Sequence, residues 1–400
     1  MGQIGSEEAA NALISCIDSI QFDAIKSAIE NIINITHGNI DKVTEKIGKE
    51  RLTKYIVDIV KHNEFSELIH RFDFIQALSK LNTSDSSTYI LKLISDIDPE
   101  NIELIDISVE ALRGLKDEDI LIHALKNESN TGIMVSLRVL GYIKSLKSVS
   151  HIIGIFDCAD RDIKIEIISA LADIGGKESL KFLHDMVSFE EGHIRAAAAR
   201  GLGLIASPDS TDLLLKRIGQ EEYHDVTEEI VNALIVINKR NNIPSISEGF
   251  ISYLTSEKYF VREIMINALT ASGNQNASQY IEGMINDENW RVRKACLEAM
   301  CVLNSKGLFD GLIAGVSDEK DEVRMVTAKL AAKYSEDRSV DLLISLLSDR
   351  NSRIISKSIE GLVLLNAKKA IPYLAELSNG EDTYTGNAAK EAILRVSGKK

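Results

Sequence analysis

Histidine is the residue type that most often binds metals or transfers protons, and the sequence has eight histidines. All eight lie in the first 224 of 400 residues, and none is followed by a glutamate. The nearest carboxylates are those of the dipeptides His184-Asp185 and His224-Asp225. Adjacent residues on a helix point in different directions, so neither dipeptide is a ready ligand pair. The sequence therefore predicts no metal site.

The sequence lacks the common motifs for nucleophilic catalysis and phosphate binding. The patterns G-x-S-x-G, G-x-x-x-x-G-K-[ST] and G-x-G-x-x-G do not occur in the sequence. There is no C-x-x-C pair, and the four cysteines lie within helical apolar patterns: Cys16, Cys158, Cys296 and Cys301. Free cysteine in such positions behaves as a small hydrophobe. We therefore expect no catalytic residue and no cofactor, and a reducing, cytoplasmic setting.

Basic residues recur at one position of a repeating sequence, namely Lys164, Arg195, Arg262, Arg293 and Arg324. This ladder could bind an anion. Alternatively, each basic residue could bond the acid that precedes it, as Asp287 precedes Arg293 and Asp318 precedes Arg324, and so join successive turns. The structural interpretation is favoured, because repetition by itself generates such ladders.

A second column of polar residues recurs two residues before an apolar position: Lys181, Asp212, Glu248, Gln279, Asp310 and Asp341. Its four acids could form a stripe for a basic partner. Alternatively, they lie in the first turn of their helices, where they cap free N–H groups and complement the helix dipole. The capping interpretation is favoured, although the two roles are compatible. Tyr253 and Tyr280 are candidate anchors for a partner, but aromatic residues at such positions more often belong to the core.

The net charge and the hydropathy argue against two classes of partner. The chain has 60 acidic and 46 basic residues, a formal net charge of -14, and no basic stripe. Such a chain repels phosphate backbones at long range. The sequence has no run of 18 apolar residues, and its N-terminus lacks the features of a signal peptide. We expect neither nucleic acid nor a membrane as partner.

A repeat of about 31 residues must position these side chains. An apolar-basic pair is followed seven residues later by a small residue and then leucine, as in Ile194-Arg195 and Gly201-Leu202. The second residues of the small-Leu pairs are Leu140, Leu171, Leu202, Leu234, Leu269, Met300, Ala331 and Leu362. Each unit fits two helices, for example from about 290 to 303 and from about 306 to 316. The low proline count, four, agrees with this helical pattern.

Three features of the units predict how the helices pack. One position of the second helix is apolar in every unit and is expected to form the inner seam: Ile152, Leu183, Leu214, Phe250, Ile281, Leu312, Leu343 and Leu374. The small residue before leucine in the first helix allows neighbouring helices to approach closely. One unit has 35 residues, and its extra residues predict a surface loop from Asn238 to Pro244, which is also a candidate contact site.

The repeat phrase resembles that of HEAT repeats, and more narrowly the short HEAT-like repeats first described in phycobilisome lyases. The family phrase Asp-x-x-x-x-Val-Arg-x-x-Ala-x-x-x-Leu stands here as Asp287, Val292, Arg293, Ala295, Ala299 and Met300. The resemblance covers residues 126–392 and implies an all-α, right-handed superhelix of about ten helix pairs. HEAT-repeat hydroxylases carry paired His-Glu motifs, which this chain lacks.

The expected organisation has four parts. Residues 1–62 form a divergent helical cap, residues 63–125 two irregular HEAT-like units, residues 126–380 eight regular repeats, and residues 381–400 a capping helix and tail. The resemblance implies a non-catalytic scaffold or adaptor that recognises a protein or helical peptide, basic in character, along its concave face. The alternative is an accessory factor resembling phycobilin lyases, which binds a small ligand or chromophore for an acceptor protein. A nucleic-acid-binding solenoid ranks third because of the charge.

Overall fold

The computed structural model describes residues 7–16, 22–37, 39–62, 68–380 and 382–398. These residues form α-helices joined by short turns and 3-10 segments, and no β-strand occurs among them. The expected all-α class is therefore confirmed. The chain divides into two compact units, residues 1–205 and residues 206–400.

The first unit contains thirteen helices among its described residues. In chain order they are α1 (Glu7–Cys16), α2 (Phe22–Ile35), α3 (Asp41–Ile47), α4 (Lys49–His62), α5 (Leu68–Leu81), α6 (Ser86–Ile94), α7 (Ile102–Leu115), α8 (Glu118–Asn127), α9 (Asn130–Tyr142), α10 (Val149–Gly154), α11 (Arg161–Ile174), α12 (Gly176–Met186) and α13 (Gly192–Ile205). Helices α1–α4 lie in the segment predicted as a cap, and α5–α8 lie in the segment predicted as two irregular units.

The second unit contains twelve helices among its described residues: α14 (Thr211–Gln220), α15 (His224–Asn241), α16 (Pro244–Ser252), α17 (Tyr259–Ala271), α18 (Ser278–Glu282), α19 (Trp290–Val302), α20 (Leu308–Val316), α21 (Asp321–Ala331), α22 (Asp337–Ser345), α23 (Ser352–Leu364), α24 (Ile371–Ser378) and α25 (Thr383–Ser397). First and second helices alternate ten times from α5 to α24, as expected. Helices α19 and α20 begin and end within two residues of the predicted bounds.

The predicted seam of the second helices is buried throughout. All eight of its side chains are at most 3% exposed. The small residues of the first helices are needed for close packing, because a Cβ added at Gly361 would lie 3.0 Å from Cβ of Ala332. Both packing predictions are therefore confirmed.

The extra residues of the long unit extend a helix, so the prediction of a surface loop over 238–244 is wrong. Helix α15 has 18 residues and continues to Asn241, whose side-chain amide donates a 2.9 Å hydrogen bond to the carbonyl of Ile237. The helix ends at Asn241, and the next residue, Asn242, adopts the left-handed conformation with φ of 53°. Asparagine accepts this conformation more readily than most residues. The next helix then begins at Pro244.

In the described part of the chain, no helix combines the length and the hydropathy that crossing a membrane requires.

Candidate functional site

Five of the six residues of the predicted polar column lie in the second unit, and the sixth, Lys181, lies on α12 of the first unit. We call the exposed sides of α14, α16, α18, α20 and α22 the second-helix face. The five column residues of the second unit stand two positions before the buried seam, and all five are exposed: Asp212, Glu248, Gln279, Asp310 and Asp341. Burial of the seam thus holds the column toward solvent.

The capping interpretation is wrong for the hydrogen bonds to free N–H groups, because none of the four acids caps a helix, and it holds only in part for the helix dipole. Helices α14, α16, α20 and α22 have no side-chain hydrogen bond at their N-caps. Asp212 and Asp310 do lie in the first turn, where a negative charge complements the helix dipole. Glu248 and Asp341 lie beyond it, because α16 and α22 each begin four residues earlier.

The acids differ in whether they are paired. Asp341 forms an ion pair with Lys369, and each of the two side chains is 55% exposed. Asp212, Glu248 and Asp310 have no ion-pair partner among the described residues. An exposed pair contributes little to stability. The second-helix face therefore presents three unpaired carboxylates on three different helices.

The two candidate tyrosines differ in exposure. The hydroxyl of Tyr253 donates a 2.8 Å hydrogen bond to the carbonyl of Leu215, and a Cβ added at Gly219 would lie 3.1 Å from that hydroxyl. Tyr253 therefore packs within the stack, in keeping with the core alternative. Tyr280 is 48% exposed and is available to a partner.

The same face carries a cleft of about 880 Å³. Its walls come from the end of α15 with α16, from the turn before α18 with that helix, and from the turn before α20. Glu248, Gln279 and Tyr280 all line it. Seven of its sixteen lining residues are carboxamides: Asn238, Asn242, Asn274, Gln275, Asn276, Gln279 and Asn304. We call it the carboxamide cleft.

Sequence reasoning singled out Gln279, and Asn238 and Asn242 lie in the segment 238–244 that it offered as a candidate contact site. It missed the other four carboxamides, which come from two turns and share no single repeat position: Asn274, Gln275, Asn276 and Asn304. A usable signal existed nonetheless, since asparagine or glutamine recurs where three successive first helices end: at 238 and 242, at 274–276, and at 304. Asn242 and Asn304 both have positive φ, which links asparagine at these positions to the way a helix ends.

The basic ladder is engaged inside the second unit. Three arginines at the starts of α17, α19 and α21 each bind the aspartate that lies 25 residues later: Arg262–Asp287, Arg293–Asp318 and Arg324–Asp349. In each pair Nε donates to one carboxylate oxygen and Nη2 to the other, over 2.6–3.0 Å. The six side chains are 4–11% exposed. Such a bidentate pair joins one repeat to the next.

The prediction that each arginine bonds the acid preceding it is therefore wrong. Arg293 bonds the carboxylate of Asp318 in the following repeat, and from Asp287 it takes only the main-chain carbonyl, at 2.8 Å. The carboxylate of Asp287 is already bound by Arg262 and accepts the main-chain N–H of Asn289. The structural role assigned to the ladder is confirmed for these three arginines, which leaves none of them free for an external anion.

Charge and burial oppose each other at Asp318. Burial disfavours its ionised form, but hydrogen bonds from Arg293 and from the main chain of Lys320, with the charges of Arg293 and Arg324, outweigh burial. The pKa of Asp318 is therefore held below its usual value. The hydrogen bond with Asp318 raises the pKa of Arg293.

In the first unit the basic residues of the ladder make contacts of a different kind. Nζ of Lys164 lies 5.3 Å from the ring centroid of Phe156 and 5.8 Å from that of Phe189, a cation–π arrangement. Arg195 donates through Nη1 to the main-chain carbonyls of Phe189 and Glu190. The side chains of Lys164 and Arg195 thus both contact residues of the first unit.

Metal and thiol chemistry find little support among the described residues. No group of three or more His, Cys, Asp or Glu side chains that could hold a metal ion occurs among them. Cys296 is buried, and burial raises the pKa of its thiol to about 12. Cys158 is free and exposed.

Comparison with known families identifies the repeats. The sequence profile of HEAT repeats matches residues 149–235 and 309–393, and that of a single HEAT repeat matches residues 279–306. Together these residues make up half of the chain. No curated protein matches the chain in sequence. The narrower resemblance to the repeats of phycobilisome lyases stays a prediction.

Solved structures show the same fold. Kap121p bound to RanGTP has 13% identity and a TM-score of 0.55 over 98% of this chain and 52% of that chain. Yeast importin-beta (Kap95p) has 11% identity and a TM-score of 0.52 over 96% of this chain and 58% of that one. This chain thus spans little more than half of their length. Human deoxyhypusine hydroxylase in complex with glycerol has 14% identity over 65% of this chain and 99% of that chain, but its TM-score of 0.29 supports no argument. Such identities establish the fold alone.

Proposed function

The chain belongs to the HEAT-repeat family, and from this premise we propose that it is a non-catalytic scaffold that binds a partner protein on its second-helix face. The observation that carries the proposal is the row of unpaired, exposed carboxylates of Asp212, Glu248 and Asp310 beside the exposed ring of Tyr280. Stacked helix pairs create extended binding surfaces of this kind. Kap121p, which shares the fold, was solved in complex with a protein, RanGTP.

The charge of the face favours a basic partner. The chain carries a formal net charge of -14, and three arginines of the ladder, Arg262, Arg293 and Arg324, are neutralised in buried pairs. The carboxylates of Asp212, Glu248 and Asp310 project from α14, α16 and α20 into solvent, and none forms an ion pair with another described residue. Such a surface attracts basic segments at long range and speeds their association, an effect that salt weakens. Tyr280 would supply apolar contact once the partner has docked.

The carboxamide cleft gives little support to the alternative of a chromophore or small-ligand carrier. Sites for such ligands are lined mainly by apolar and aromatic side chains, with few polar groups. Among the sixteen residues of the carboxamide cleft, only Pro244, Ile251 and Tyr280 offer apolar surface of any size. The cleft is therefore better matched to a polar ligand than to a tetrapyrrole.

The burial and carboxylate pairing of three arginines disfavour the nucleic-acid alternative. Guanidinium groups that contact phosphate must reach the surface. Arg262, Arg293 and Arg324 have side chains that are at most 11% exposed, each held by a carboxylate. The free thiols of Cys158, Cys296 and Cys301 agree with a cytoplasmic location, which we include in the proposal.

A matched pair of charge-reversal variants tests the proposal by affinity capture from an extract of the native host, with mass spectrometry of the eluate. The first variant reverses the acids of the column to lysine: Asp212, Glu248, Asp310 and Asp341. The second reverses four exposed acids of first helices: Asp225, Glu228, Glu298 and Glu322. Both variants have the same net charge, and each set has two acids in the first turn of a helix.

We expect the wild-type chain and the first-helix variant to retain a protein partner in stoichiometric amount at physiological salt, and the column variant to lose it. Circular dichroism must show that all three chains are equally helical. Equal recovery of the partner by the two variants would remove the second-helix face from consideration. A coloured ligand or retained nucleic acid without a protein partner would favour the alternatives.

A further inference from the structure

The carboxamide cleft suggests what part of a partner the face recognises. A primary amide offers two N–H donors and one carbonyl acceptor without a net charge. A peptide group likewise offers one N–H and one carbonyl. Seven carboxamides on one cleft therefore form a surface that can match the main chain of a polypeptide rather than particular side chains.

Most of these amides are free to bind. The side-chain carbonyl of Asn238 accepts from the main-chain N–H of Ile243 at 2.7 Å, and that of Asn274 accepts from Asn276 at 3.0 Å. These two bonds fix the carbonyls and leave the NH₂ groups as donors. The other five side chains have no hydrogen bond to another described residue: Asn242, Gln275, Asn276, Gln279 and Asn304.

The extent of the cleft sets the length of the ligand. The cleft includes residues from three successive repeats, from α16 to the turn before α20. Packed helices lie 8–10 Å apart, so the cleft spans about 16–20 Å. An extended chain rises about 3.3 Å per residue, so five or six residues fill this span.

Hydrogen bonding decides between an extended and a helical ligand. A helix satisfies its own main-chain groups internally, so it would cover the amides of the cleft without offering them partners. An extended segment keeps its N–H and carbonyl groups available, and main-chain bonds then supply affinity. The geometry therefore favours an extended segment over the helical peptide expected from the sequence.

The charged residues of the cleft orient the ligand. Glu282 is already occupied, because its carboxylate accepts from the hydroxyl of Ser305 and from the N–H of Gly307. The exposed carboxylate of Glu248 has no such partner, and Lys306 is exposed at the end of the cleft nearest α20. A segment with a basic side chain over Glu248 would therefore be preferred.

From these observations we infer that the carboxamide cleft binds an extended segment of five or six residues of the partner protein through its main chain, with a basic side chain at Glu248. This inference rests on the proposed function, to which it adds the form of the ligand. A saccharide could also bind carboxamides and a tyrosine ring, but the cleft has only one aromatic side chain and its length suits a strand.

The test begins with selection of octapeptides from a random display library on the full-length chain. The selected peptide is then synthesised in two forms, one unmodified and one with N-methyl groups on alternate residues. The second form keeps every side chain and loses main-chain donors. Affinities are measured by fluorescence anisotropy with labelled peptide.

Two variants of the protein provide a matched comparison. The cleft variant carries Asn242→Gly and Asn304→Gly, and the control carries Asn82→Gly and Asn366→Gly. All four asparagines are exposed and have φ between 45° and 53°, so glycine keeps the backbone in each. Only the first two line the cleft.

We expect N-methylation and the cleft variant each to weaken binding at least tenfold, because each removes two or more hydrogen bonds, while the control binds like the wild type. Three results would overturn the inference: no enriched peptide, a peptide indifferent to N-methylation or to the cleft variant, or a glycan array that reports saccharide binding lost in the cleft variant. If the cleft variant keeps the captured partner and the column variant loses it, the proposed function stands and this inference fails.

Discussion

Replacing Arg293 with methionine isolates one step of the arginine–aspartate ladder. The substitution keeps much of the aliphatic stem and removes the guanidinium, so the carboxylate of Asp318, only 9% exposed, loses its bidentate partner. Breaking a buried pair in this way costs about 3–5 kcal/mol. We expect the lower end, about 3 kcal/mol, because Asp318 still accepts from the main chain of Lys320 at 2.9 Å.

Urea denaturation at pH 7 followed by circular dichroism measures this change in the free energy of unfolding. The control is Arg353→Met, an exposed arginine of α23, which should change stability by at most about 0.5 kcal/mol. Adding Asp318→Asn to Arg293→Met should recover part of the loss, because no unpaired charge is then buried. Asparagine keeps the side-chain oxygen that accepts from Lys320.

The pH dependence gives this prediction a second readout. In the folded wild type the pKa of Asp318 is lowered, so its contribution is complete above the unfolded-state pKa of about 3.9 and is lost as the pH falls through the folded value. Without Arg293, burial raises that pKa instead. The stability gap between wild type and variant should therefore narrow as the pH falls from 7 to about 3. A gap below about 1 kcal/mol at pH 7, or one unaffected by pH, would refute this account of the ladder.

Three further predictions concern other parts of the fold. Gly361→Ala should destabilise the chain by about 1–2 kcal/mol in urea, because its Cβ would lie 3.0 Å from Cβ of Ala332 and from a methyl group of Leu343. Gly114→Ala, which meets no atom within 4 Å, should be neutral or stabilising, and equal effects of the two substitutions would contradict close packing at Gly361. Tyr253→Phe should cost about 1 kcal/mol through its lost hydrogen bond and leave partner affinity unchanged, whereas a large loss of affinity would restore it as an anchor. Iodoacetamide at pH 8 should modify Cys158 in the native chain and Cys296 only after unfolding, since burial raises the pKa of the latter to about 12; peptide mass spectrometry would expose early labelling of Cys296 as a contradiction.

The repeat architecture could be predicted because local pattern determines it. A period of about 31 residues, an apolar seam and a small residue before leucine specify helix pairs that cannot pack in many other ways. Leu312 and Gly201, both singled out from spacing alone, are buried where that reasoning put them. The polar column is exposed because its residues stand two positions before the buried seam residues, on the opposite side of the helix.

Long-range partners could not be predicted in the same way. The sequence places Asp287 near Arg293, yet the carboxylate that Arg293 binds belongs to the next repeat, since packing between repeats decides which loop lies beside each guanidinium. The end of α15 was missed because Asn241 and Asn242 are typical turn residues, and here they stabilise and terminate a longer helix. Side chains from three turns compose the cleft, so no single period reveals it.

Hydrogen exchange of the chain alone and in complex with its captured partner tests the central claim most directly. If the second-helix face binds the partner, amides of α14, α16, α18 and α20 gain protection, and amides of the first helices α17, α19 and α21 exchange as in the free chain. Protection confined to first helices would contradict the account, as would a stoichiometric complex in which no second helix of residues 206–400 gains protection.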